Sequence, residues 1–130
     1  MSHNKKITVL AFVAGLVLLM TGCYKDKTVI LDVPEITRTV TFSQDIVPIF
    51  NSSCNISGCH NKGGQSPDLS ADNAFNSLTI GNYIDKNVPE NSLIYLKMTG
   101  KKGNPMPMSG INKDYNALIL AWIKQGANNN

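Results

Sequence analysis

The sequence predicts an all-α domain of about four short helices, on three observations. Apolar residues recur at helical spacing in four stretches, helix-starting and helix-stopping residues flank those stretches, and strand-like alternation is almost absent. The chain is 130 residues long, which is room for one small domain.

The first helix is expected in "DIVPIFNSS", residues 45–53. Asp45 would be its N-cap, Pro48 would fall in the first turn, and Ile46, Ile49 and Phe50 would share one face. The second is short, "SADNAFNSL", with Ser70 as N-cap and Ala74, Phe75 and Leu78 turned inward. The third, "PENSLIYLKMTG", opens on Pro89, stops at Gly100 and would present Leu93, Leu96 and Met98. The last, "NKDYNALILAWIKQGA", places Tyr115, Leu118, Ile119, Trp122 and Ile123 at helical spacing, with Asn112 as cap and Gly126 as stop. The loops between them are long and glycine-rich. A domain of this kind has little core of its own and gains from a large apolar group buried at its centre.

The N-terminus reads differently. "MSHNKK" is basic, "ITVLAFVAGLVLLM" is apolar, and "TGC" follows at once, the three parts of a secretory signal. The apolar run is short for a membrane span. "LMTGC" resembles the lipobox of bacterial lipoproteins, with Met20 standing where leucine is commoner. Residues 1–22 are therefore expected to be a signal peptide, and Cys23 the lipidated first residue of a mature protein held in the bacterial cell envelope, on its periplasmic or outer-membrane side. Residues 23–40 would form a tether with an extended piece around Val29–Leu31, 41–127 the domain, and 128–130 a frayed, disordered tail. Once Lys5 and Lys6 leave with the signal, ten basic residues face nine acidic ones, a net +1. So small a charge argues against a nucleic-acid partner.

Three cysteines is an odd number for an exported chain. With Cys23 carrying lipid, Cys54 and Cys59 remain as a pair, in "CNISGCH". A disulfide is easy in an oxidising compartment. A zinc site is poorer, because adjacent Cys59 and His60 rarely serve one tetrahedral ion. A catalytic cysteine is poorer again, since its histidine is normally a neighbour in space and not in sequence. The remaining reading is covalent haem: two cysteines form thioether bonds to the vinyl groups, and the histidine directly after the second ligates the iron. The usual spacer is two residues; here it is the four of "NISG", which must bulge outward, helped by Gly58.

The far end of the domain weighs on this choice. A second axial ligand is needed, and the only other histidine, His3, lies in the signal. Met106 and Met108 lie in "GKKGNPMPMSG", a Gly/Pro loop where core packing does not call for methionine. Met106, followed by Pro107, is the preferred distal ligand and Met108 the alternative.

The order "FSQDIVPIF", C-x4-C-H, "SPDLS", "PENSLIY", "NPMPM" and "ILAWIKQGA" resembles the monohaem class I cytochrome c family, in its bacterial lipoprotein variety, over nearly all of residues 41–127. The resemblance implies a small class I fold around one haem c, with the first and last helices crossing where Phe50 meets Trp122. It implies covalent attachment at Cys54 and Cys59, His60 as proximal and Met106 as distal iron ligand, and Pro67 and Leu69 in the haem pocket. Ser66 replaces the family's glycine there. The Pro67 carbonyl would accept a hydrogen bond from His60 and fix its tautomer.

With both axial positions filled, the expected function is not enzymatic. It is transfer of single electrons between redox proteins at the membrane surface, by a monomer or a subunit of a larger envelope complex. The alternatives are a haem enzyme or a peroxide or gas sensor, if neither loop methionine binds iron, and a haemless lipoprotein stapled by Cys54–Cys59. Lys97, Lys101 and Lys102 flank the methionine loop and are expected to steer an acidic partner.

Overall fold

The structure, a computed structural model, describes residues 34–130. The signal segment, Cys23 and most of the tether, including Val29–Leu31, lie outside the described residues. The described residues are all-α, as expected, with no strand among them. A π-helical turn, Phe42–Ile46, runs into α1, Val47–Ser53; then come α2, Ala74–Ile80, a 3-10 turn at Pro89–Asn91, α3, Leu93–Met98, and α4, Lys113–Lys124. None of these helices is long and apolar enough to cross a membrane.

The first helical segment starts three residues before the expected point, which changes the role of Asp45. Thr41 is the N-cap, its hydroxyl accepting from the Gln44 N–H. Asp45 reaches back instead: its carboxylate accepts from the Thr41 N–H at 2.8 Å and pairs with Arg38 at 2.7 Å. The expected apolar face is buried as the spacing requires, at Ile46, Ile49 and Phe50.

Helix α2 begins at Ala74 and not at Ser70. Ser70 still accepts the first backbone bonds, from the N–H groups of Asn73 and Ala74, but the residues between them form a turn. Ala74 and Leu78 are fully buried and Phe75 partly so.

Helix α3 departs most from expectation. Ser92 has an extended ψ of 127° and breaks the chain into a 3-10 turn and a new helix. Its buried hydroxyl accepts from the Asp85 N–H at 2.9 Å, so the break is held in place. The helix is thereby re-phased: Ile94, Tyr95 and Met98 face the core, while Leu93 and Leu96 are only half-buried. Asn112 caps α4, accepting from the N–H groups of Asp114 and Tyr115 at 3.0 Å. Ile119, Trp122 and Ile123 are buried, with Tyr115 and Leu118 at the margin of the core.

Both expected boundaries move outward. Val40 is buried, Ile36 packs against the core, and Gln125 holds the segment by accepting from the Val40 N–H and donating to the Arg38 carbonyl. These residues belong to the domain and not to a tether. Asn128–Asn130 do not fray either: Asn130 accepts from the N–H groups of Phe42 and Ser43, and the Asn128 carbonyl accepts from Trp122 Nε1. The N-terminal segment packs on α4 through Phe42, whose ring lies 5.1 Å from Trp122 and 6.2 Å from Phe50. Phe42 thus packs against both Phe50 and Trp122, the pair expected to meet where the first and last helices approach, and all three belong to one core.

Candidate functional site

The segment after α1 folds on itself. Cys54 and Asn55 donate their N–H groups to the Phe50 carbonyl, which ends the helix on the first cysteine. Cys59 N–H then donates to the Ile56 carbonyl and His60 N–H to the Cys54 carbonyl at 3.1 Å, closing the four-residue spacer into a bulge. Gly58 supplies the turn with φ +80°, a left-handed value that suits glycine. Beyond His60 a second tight turn follows, in which Gln65 N–H donates to the Cys59 carbonyl at 2.7 Å and Gly64 N–H to the Asn61 carbonyl at 2.8 Å.

This second turn brings the backbone round to the imidazole. His60 Nδ1 lies 3.0 Å from the Pro67 carbonyl oxygen and 3.2 Å from that of Gln65. Carbonyls only accept, so Nδ1 carries the hydrogen and donates. In the neutral ring Nε2 then holds the lone pair, and among the described residues no group bonds it. Leu69 N–H donates to the His60 carbonyl at 2.7 Å, tying the pocket residues Pro67 and Leu69, both buried, to the histidine.

The opposite wall is the loop after α3. Met106 N–H donates to the Lys97 carbonyl at 3.0 Å and Lys102 N–H to that of Leu96, so the methionine loop folds back over the end of α3. Between the two walls lie two adjoining cavities. The inner one, about 230 Å³, is lined by Phe50, Leu69, Tyr83, Leu93, Ile94 and Met98 among others; the outer one, about 340 Å³, reaches Ile56, Cys59, Pro107 and Met108. Cys54, His60, Gln65 and Met106 line both. Cavities that bind small molecules and cofactors run to roughly 300–1,000 Å³.

The expected site residues are therefore brought together around one cleft, with differences among them. Cys54 is buried, whereas Cys59 is half-exposed and lines the outer cavity alone. Met106 is half-buried and faces both cavities, but Met108 is 84% exposed and faces only the outer one. The cysteines are free thiols. Burial, with a smaller contribution from nearby Cys59, pushes the Cys54 thiol up to about 11. A nucleophilic cysteine needs the opposite shift. No group of three or more His, Cys, Asp or Glu side chains among the described residues is arranged to hold a metal ion. What the cleft offers is two free thiols, an imidazole of fixed tautomer and a thioether, around space lined mainly by apolar groups.

Lys97, Tyr83 and Gln65 on the cleft wall were not legible as site residues. The signal that would have placed Lys97 and Leu93 there is the re-phasing of α3 at Ser92. Compared with family models, with curated proteins and with solved structures, the chain matches none.

Proposed function

We propose that this chain is a lipid-anchored monohaem c-type cytochrome carrying single electrons between redox proteins at the bacterial envelope. The observation that carries the reading is His60 Nδ1 bound to the Pro67 carbonyl at 3.0 Å, which leaves Nε2 available on the wall of a cleft that Met106 also lines. Second-sphere bonds of this kind orient a ligating histidine and raise its basicity.

The residues fit the group. Cys54 and Cys59, free and separated by a closed bulge, would take the two thioether bonds, and His60 and Met106 the two axial positions. When bound, haem c would supply one-electron exchange, at a potential that a thioether ligand moves toward the positive side of the haem range. The protein's own contributions are positional. Pro67 and Gln65 hold the imidazole by their carbonyls, Lys97 seats Met106 by its backbone, and Phe50 and Leu69 give the inner cavity apolar walls. The all-α architecture is compatible with a class I cytochrome c-like fold, and the lipobox-like "LMTGC" supports anchoring through Cys23. Were His60 and Met106 both to hold the iron, haem c would supply one-electron exchange in preference to enzymatic chemistry, and the partners would be redox proteins.

The test is the intact mass of the mature protein, made in cells that attach c-type haem, after acid denaturation and reduction. Retention of one haem mass is expected. A bare polypeptide mass, in cells that mature a control cytochrome, would overturn the reading.

A further inference from the structure

We infer that Lys97 anchors an anionic group of the molecule that fills the cleft. This rests on the haem reading, under which the group is a propionate carboxylate.

Lys97 stands apart from the two lysines with which the sequence groups it. Lys101 and Lys102 are exposed, but Lys97 is half-buried and lines the inner cavity. Among the described residues, no other lysine, and no arginine, aspartate or glutamate, lines that cavity. Its carbonyl accepts from the N–H groups of Met106 and Gly100, so its backbone is locked to the methionine loop. Its ammonium lies beside the same loop: a Cβ placed on Gly103 would stand 3.1 Å from Lys97 Nζ. Arg38 pairs with Asp45 and Lys124 with Glu90, and Lys97 enters neither pair.

A cation at the edge of an apolar cavity favours an occupant that brings a counter-charge. None of the cavity's protein groups provides one. An occupant bearing a carboxylate beside Lys97 would, while Gln65 and Ser66, which line the same cavity from the His60 side, can donate neutral hydrogen bonds to it. Lys97 is then a positioning residue inside the cleft and not part of an outward steering face.

The experiment uses the full chain matured with haem, as parent, Lys97→Met, Lys97→Arg and the exposed control Lys101→Met, with Lys97→Gln as a second neutral variant. Intact mass is read first: a parent without haem overturns the reading and this inference with it. With haem attached, reduction potentials are measured at low salt and at about 1 M salt. Loss of the Lys97 charge is expected to move the ferric-to-ferrous ratio at fixed potential roughly tenfold toward ferric, about 59 mV for one electron. That shift should persist at high salt, because a desolvated pair is little screened. Lys97→Arg should restore the parent value, and Lys101→Met should give a smaller shift that salt abolishes. Lys97 variants that behave like Lys101→Met in haem-bearing protein would overturn the anchor and leave the cytochrome reading standing.

Discussion

A single methyl group separates glycine from alanine, and at residue 64 there is no room for it. A Cβ there would lie 2.3 Å from the Cys59 carbonyl oxygen and 2.6 Å from Asn61 Oδ1. The first of these is backbone, and it accepts the Gln65 N–H that turns the chain toward His60, so it cannot yield without opening the site. At Gly58 the difficulty is of another kind: nothing lies within 4 Å of an added Cβ, but φ is +80°. Gly64→Ala is expected to cost about 3 kcal/mol, and Gly58→Ala about 1 kcal/mol. Urea unfolding of both variants checks this, and equal losses would show that contact at Gly64 is not the cause. The need for glycine in the spacer was legible, since a bulge calls for left-handed backbone. The need at Gly64 was not, because it arises from a carbonyl five residues away.

Among the elements, the N-terminal cap shows how a local signal can be read correctly in kind and wrongly in place. Asp45 was expected as the N-cap, but Thr41 holds that position, and Asp45 accepts the Thr41 N–H from inside the helical segment. Its carboxyl is lowered from 3.8 to about 2, chiefly by the Arg38 side chain and also by bonds from Thr41. A lowered native pKa means that the unfolded chain binds the proton more tightly. The associated stability is therefore present above about pH 4 and is lost as pH falls toward 2. Arg38 is more than half exposed, so solvent screening keeps the contribution small. Asp45→Asn should be less stable than the parent at pH 6 and should lose less stability between pH 4 and 2. Parallel melting curves across that range would refute the assignment. The face of α3 was the least legible feature at this scale. Its periodicity had to be counted from a start that Ser92 shifts, and Ser92 is fixed by Asp85, which lies in a different segment.

For the described domain as a whole, the decisive contacts join residues 38–43 to residues 125–130. Phe42 and Ser43 donate to Asn130, Trp122 donates to Asn128, and Gln125 clasps residues 38 and 40. Removing Asn128–Asn130 takes away three of these hydrogen bonds and is expected to cost about 3 kcal/mol, at about 1 kcal/mol each. Chemical denaturation of the truncated protein measures this, and an unchanged midpoint would mean that the tail contributes nothing. By itself the sequence determined the all-α class, the caps at Asn112 and Gly126, the buried face of α1, and the Cys54–Cys59–His60 order opposite a methionine loop. Those are effects of neighbouring residues, set by backbone sterics, capping hydrogen bonds and helical period. Only the tertiary structure decided that residues 38–43 join residues 125–130, that Phe42 packs against both Phe50 and Trp122, that Met106 lines both cavities while Met108 is largely exposed, and that Lys97 lines the inner cavity. Each of those depends on groups remote along the chain competing for the same buried space, and no local pattern encodes the outcome of that competition.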